Sequence, residues 1–426
     1  QDMVFESRVG NLDVTLTNKV NGQAYFFEIL MFPLQRKSCY MYQLKIRKDK
    51  FKIGFVVNQF NDGGVARVSQ VVSEHLAAYG HQVLLITGNK SENDFQIAPN
   101  IQRLALTSFS SQLYQMTEIK ALKLDVIVFQ EYWASENYYL ISQYVAAGMK
   151  VIALHHNVYI WHHIYSPYSM RGTQSTMEVV QLLHQHYPRA HALVALSPFD
   201  AVIFKRIGCH SRYIPNPSSF QMREIAEKPK NQILFMGRMS QEKQPDMALD
   251  MMKEMARINE NAKLVMVGDQ EYQIKQRIQN EQIKNVDAVG YRANVNDYYD
   301  NAAVFILTST FEGYPMVVTE AISHGLPVVA FELPYLALME CNVTQVPKRD
   351  VKEMAKKVNE LLQDEELRQR VAKDAQKCVE RLNAQVVPRW NDLLDKVVNE
   401  YEVDYADEVD EKWVDKVLYS EVKSAK

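Results

Sequence analysis

The stretch FKIGFVVNQFNDGGVARVSQVVSEHLAAYGHQVLLIT (51–87) decides the architecture. KIGFVV (52–57) is a short apolar run bounded by polar residues, the form of a buried strand. After Gly63-Gly64, the residues Val65, Val68, Val71, Val72 and Leu76 recur at the spacing of one helical face. QVLLIT (82–87) is then a second apolar run, so the segment reads as a βαβ unit with parallel strands. Gly63 and Gly64 permit close backbone approach to a bound group, and the helix start offers free N–H donors. A tight strand-to-helix turn would call for the same two glycines.

The alternation continues outward. LDVIVF (124–129), VIALH (151–155) and ALVAL (192–196) complete one doubly wound domain over 51–217, closing on IPNP (214–217). A polar linker containing Pro229 follows. A second series, QILFMG (232–237), KLVMVG (263–268), DAVG (287–290), AVFIL (303–307) and LPVVAF (326–331), makes a second domain over 218–385. Two domains suit 426 residues. Helices fill 350–402, and the C-terminal part, 386–426, is helical, ending in a segment near 410–423. The acidic run DYADEVDE (404–411) reads as solvated, and the chain after Tyr401 is expected to be dispensable for catalysis.

Residues 1–50 differ: LDVTLT, QAYFFEI and YMYQLKI are β-rich, and 18–22 carries a turn signal, so a small antiparallel meander is expected. Around it Arg36, Lys37, Lys45, Arg47, Lys48, Lys50 and Lys52 either face an acidic surface or are solvated edge-strand cations.

Hydrophobic residues at 47% and charged residues at 23% place the chain among globular proteins, and a net charge of −3 argues against nucleic acid as a partner. No apolar stretch is long enough to span a membrane and no leader sequence is visible, so a cytoplasmic protein is expected. Cys39, Cys209, Cys341 and Cys378 form no C-x-x-C pair and are read as reduced, mostly buried thiols.

The chemistry concentrates in TSTFEGYPMVVTEAISHGLPVV (308–329), which follows a strand and opens a helix. Pro315 suits the first helical position. The amides of Met316 and Val317 then point outward beside Gly313, and with the helix dipole they suit a diphosphate or sugar hydroxyls. Glu320 lies one turn beyond Met316, placed to accept the hydroxyls of a ribose; Glu312 precedes the turn, within reach of a sugar. In MGRMSQEKQPD (236–246), Arg238 and Lys243 bracket a strand-to-helix loop where two cations can stabilise charge growing on a leaving diphosphate. His156, just past VIALH and beside Asn157, can hydrogen-bond a sugar hydroxyl, although a purely structural role is also open.

Two glutamates seven residues apart in EGYPMVVTEA, followed by HGLPVV, resemble the signature of the retaining family-four glycosyltransferases of GT-B fold. The loop around Arg238 and Lys243 is similar to that family's G-R-x-x-x-E-K-G, departing at Gln244. The resemblance covers roughly 51–400. It implies two Rossmann-like α/β domains facing a cleft, the β-rich extension standing outside it. It also implies that Glu312 contacts the transferred sugar, that Glu320 binds the nucleotide ribose, and that Gly313, Tyr314, Pro315, Met316 and Val317 hold donor hydroxyls and phosphate. Arg238 and Lys243 would bind the diphosphate, Gly63 and Gly64 would face the donor phosphate, His156 would contact the donor sugar, and Tyr291 and Arg292 the base.

The activity implied is transfer of a sugar, with retention of anomeric configuration, from a nucleotide diphosphate donor, UDP being favoured. The acceptor would be a glycan, a teichoic acid or a lipid-linked molecule, with peripheral association at the inner membrane face. No cofactor or metal is required in this reading, since no D-x-D follows a strand and no histidines stand at ligand spacing. The competing readings are a sugar-nucleotide epimerase or phosphorylase of the same fold, and a non-catalytic assembly subunit.

Overall fold

The computed structural model describes residues 3–8, 11–17, 24–33, 40–57, 59–61, 63–92, 94–106, 116–130, 135–160, 176–225, 229–292, 294–403 and 409–424. Strands β1 (Met3–Arg8), β2 (Asn11–Thr17), β3 (Ala24–Pro33) and β4 (Tyr40–Arg47) pair antiparallel in that order, which is the expected meander with an additional first strand. The turn at 18–22, Arg36 and Lys37 lie outside the described residues. Lys48 pairs with Asp125 at 2.6 Å, Lys50 lies 3.6 Å over the Tyr79 ring, and Lys52 donates to the Leu122 carbonyl. These three cations serve the first domain.

That domain is a parallel sheet of β5 (Lys52–Val57), β6 (Gln82–Thr87), β7 (Gln102–Ala105), β8 (Val126–Gln130), β9 (Val151–His155), β10 (Ala192–Ala195) and β11 (Ser211–Tyr213), ordered β11-β10-β9-β8-β5-β6-β7. The second contains β12 (Gln232–Met236), β13 (Lys263–Val267), β14 (Val286–Gly290), β15 (Val304–Leu307), β16 (Val328–Phe331) and β17 (Thr344–Val346), ordered β14-β13-β12-β15-β16-β17. Central strands are apolar apart from polar residues at their ends because both sheet faces are covered, and β8, β9, β15 and β16 are fully buried. In each sheet the strand order reverses once, between β5 and β8 and between β12 and β15, and ligands bind outside the strand ends at such points.

Helix Glu365–Asn399 joins the domains. Its first half packs Leu367 and Val371 against the second domain's core; its second half buries Trp390 against Phe55 in the first. Asn391 meets His81 at 2.8 Å, Arg389 donates to the Tyr213 carbonyl, and Arg212 pairs with Asp392, so the far end is anchored by polar contacts as well.

Most of the acidic run 404–411 lies outside the described residues. The last helix, Glu411–Ser424, buries Val414 and Val417, three apart on one face, and pairs Arg206 with Asp415 at 2.7 Å. Its Glu421, only 4% exposed, reaches Lys348 of the second domain at 2.6 Å. One expectation is corrected here: the thiols are not all reduced, since Cys341 and Cys378 form a disulfide. Their separation of 37 residues gave no local signal; they meet because the turn after Ala337–Glu340 packs on the joining helix. Cys209 is free and buried, its thiol pushed up to about 12 by burial, and Cys39 lies outside the described residues. Among the described residues, no helix is long and apolar enough to cross a membrane.

Candidate active site

Between the two switch points lies a cavity of about 340 Å³. The first domain lines it with Gly63 and Gly64 after β5, His156 after β9, and Asn216; the second with Arg238, Lys243 and the run from Glu312 to Val317. Residues separated by some 250 positions in the chain thus line one cavity.

The second domain's two loops hold each other. The Thr308 hydroxyl lies 2.8 and 2.9 Å from the Lys243 and Gln244 carbonyls, and the Thr310 amide donates to the Glu242 carbonyl. Lys243 Nζ therefore sits 2.6 Å from Glu312 Oε1, which also accepts from the Ser309 hydroxyl at 2.6 Å. The Glu312 amide donates to the buried Tyr335 hydroxyl at 3.0 Å, fixing the turn from behind. Arg238 is different: it is 63% exposed and only loosely paired with Glu242 at 3.6 Å, so it stays available to an incoming anion. Gln244, which stands where the resembled loop has glycine, adopts the left-handed conformation at φ 49°.

Gly313 is required by contact between the domains. A Cβ there would lie 1.7 Å from the His156 carbonyl oxygen, so the two loops touch backbone to backbone across the cleft floor. The helix it precedes runs Met316–Ser323, with Pro315 at the cap, one residue from the expected start.

Glu320, Tyr291 and Arg292 are not among the cavity-lining residues. Glu320 is buried behind the wall, accepting from the Tyr299 hydroxyl at 2.9 Å. Burial raises its carboxyl above the usual range, partly offset by Tyr299, nearby Arg67 and Ser219. Tyr291 is exposed on the loop after β14, with Arg292 donating to its carbonyl.

Sequence reasoning missed Ser309, Tyr335 and Asn216, whose roles depend on packing between distant segments, and Gln130 at the end of β8. Gln130 is buried and its Oε1 lies 2.8 Å from His156 Nε2. Among the described residues, no group of three or more histidine, cysteine or carboxylate side chains is gathered to hold a metal ion.

Two Rossmann-like domains with strand ends facing a cleft, a cation-bearing loop and a glutamate-glycine turn at its floor make up a GT-B fold. Family models agree: residues 62–218 match Glycosyltransferase Family 4 and residues 218–378 match Glycosyl transferases group 1, so the pair spans most of the chain. The chain belongs to the group 1 glycosyltransferases and is a transferase enzyme. An uncharacterized glycosyltransferase of Haemophilus influenzae is 24% identical over 368 residues, covering 80% of this chain and 99% of its own. A poly(glycerol-phosphate) alpha-glucosyltransferase of Bacillus subtilis is 27% identical over 145 residues, covering 32% of this chain but only 22% of its own length. Among solved structures, Anabaena HepE in complex with UDP-glucose superposes with a TM-score of 0.58 at 18% identity, covering 80% of this chain and all (100%) of its own.

Proposed function

We propose that this enzyme transfers a hexose from a UDP-sugar, with retention of configuration, to a glycan, teichoic acid or lipid-linked acceptor of the cell surface. The observation that carries the proposal is the Lys243–Glu312 pair on the floor of the interdomain cavity, flanked by available Arg238 and by free amides at the start of helix Met316–Ser323. The diphosphate of an entering donor would draw Lys243 and Arg238, and charge building on the leaving group would be met by both without a bound metal. Glu312, released from part of its pairing, then accepts from hydroxyls of the transferred sugar. Attack from the acceptor on the same face as the departing phosphate gives retention, a preference that rests on the family.

The UDP assignment is supported by the likeness to HepE, whose structure holds UDP-glucose, and the acceptor class by the likeness to the poly(glycerol-phosphate) alpha-glucosyltransferase. The peripheral membrane location follows from the same acceptor chemistry.

A thermal-shift panel of nucleotide sugars identifies the donor, since a ligand that binds the folded state raises its melting temperature. Lys243→Ala should then lower kcat by about 100- to 1000-fold with a smaller effect on donor KM, and a chelator should leave the wild type nearly unaffected. Full activity in Lys243→Ala, or loss of activity on chelation, refutes this mechanism.

A further inference from the structure

The two carboxylate oxygens of Glu312 are not equivalent. Oε1 accepts from Lys243 Nζ and from the Ser309 hydroxyl, each at 2.6 Å. A carboxylate offers about four lone-pair sites, two on each oxygen, so Oε1 is filled. Oε2 has no partner among the described residues, and it is not sealed from the cavity that Glu312 lines, although the residue is only 7% exposed. The backbone beneath is fixed, because the Glu312 amide donates to the Tyr335 hydroxyl at 3.0 Å.

The two partners of Oε1 respond differently to an entering anion. Lys243 has a long, partly exposed side chain, and its ammonium is the group that the diphosphate would draw away. Ser309 is 1% exposed, and its hydroxyl stands one carbon from the backbone. The residues on either side of it are fastened to the opposite loop. Thr308 Oγ1 donates toward the Lys243 and Gln244 carbonyls, and the Thr310 amide donates to the Glu242 carbonyl. Ser309 therefore stays where it is when Lys243 leaves. Without it nothing would orient the carboxylate, since the terminal torsion of a glutamate is broad and roughly two-fold. Either oxygen could then face the cavity, over a range of angles.

We propose that Ser309 is a positioning residue that holds Glu312 Oε1 while Lys243 turns to the donor, so that Oε2 alone meets the transferred sugar. Lys243 and Ser309 thus share one oxygen in the empty site and separate their duties in the filled one. The identity of the ligand rests on the function proposed above; the division between the two oxygens does not.

Lys243→Ala removes the ammonium as an entering diphosphate would, with no donor needed. In its crystal structure Glu312 Oε1 should remain within hydrogen-bond distance of Ser309 Oγ, with the carboxylate plane of the wild type. In Lys243→Ala/Ser309→Ala the plane should turn. A turned carboxylate in the single variant, or an unmoved one in the double variant, overturns the proposal. With the donor found by thermal shift, Ser309→Ala should lower kcat about 10- to 100-fold, the size of one lost hydrogen bond to a charged group, with a smaller change in donor KM. Ser309→Thr, which keeps the hydroxyl, should recover most of that loss, whereas a role in packing alone would make alanine the milder change. Wild-type kcat in a folded Ser309→Ala enzyme, or threonine more harmful than alanine, also overturns the proposal. Should the serine variants fail to fold, the Lys243→Ala structure decides alone. A carboxylate that keeps its plane in Lys243→Ala, in a protein that binds no nucleotide sugar, refutes the donor reading and supports the assignment of Ser309.

Discussion

Replacing Gly313 by alanine isolates the contact between the two domains from the stability of either. The added Cβ would lie 1.7 Å from the His156 carbonyl oxygen, whereas a methyl carbon and a carbonyl oxygen settle at about 3.3 Å. The atoms first met are backbone, including the His156 carbonyl carbon at 2.7 Å and Asn157 Cα at 3.0 Å, so no side chain can rotate away. Relief requires the loops to part by about 1.6 Å, the difference between those two separations. Both sheets and both apolar cores are left intact by such a movement, so the melting temperature of Gly313→Ala should stay close to that of the wild type. Turnover should not, because a displacement of about 1 Å at reacting groups costs on the order of 100-fold. The assay is kcat/KM with the donor found by thermal shift, alongside circular dichroism and a melting curve. A well-folded Gly313→Ala enzyme with wild-type kcat/KM would show that the touching loops are irrelevant to catalysis and refute the reasoning.

Truncation after Tyr401 should lower the melting temperature and activity together. It uncovers the sites of Val414 and Val417, each worth about 1.5–3 kcal/mol when buried, and removes the Lys348–Glu421 pair; an unchanged melting curve would refute this. Gln244→Gly should stabilise the protein by about 0.5–1 kcal/mol, because relief of the left-handed conformation outweighs the added freedom of the unfolded chain. Denaturant titration should show it, and a loss of stability would count against the loop geometry. Cys378→Ser should cost about 4 kcal/mol, from reopening a 37-residue loop, and should make stability insensitive to reductant. If reductant affects variant and wild type alike, the Cys341–Cys378 bond is not the cause.

The central strands and the two motif loops were legible because their signals are local. An apolar run of five or six residues identifies β5, β6, β9 and β12, and the glutamate-glycine turn carries its own chemistry. The edge strands β7, β11 and β17 escaped notice since three or four residues show too little pattern. Site members that act through distant packing were equally silent. Tyr335 reads as an ordinary core aromatic until its hydroxyl is found against the Glu312 amide, and Gln130 as a polar strand end until the amide is seen between Val56 and His156. The docking of helix Glu411–Ser424 was silent as well, since it depends on two valines and one buried glutamate.

The chain leaves the first domain near Ser218 and comes back along helix Glu365–Asn399, and these passages lie side by side, the Ser218 amide donating to Asn383 Oδ1 at 3.0 Å. Two adjacent crossings act mechanically as a single pivot: the domains can swing about it but cannot slide past or separate from each other. Displacement in a swing grows with distance from the axis, so a rotation too small to disturb Ser218 and Asn383 sweeps Gly313 away from His156 by the lever arm between them. Helix Glu411–Ser424, anchored on Arg206 and reaching Lys348, supplies a third link that every such swing must either break at Glu421 or drag along. Part of what holds the cleft in this geometry would then reside at Glu421 of helix Glu411–Ser424.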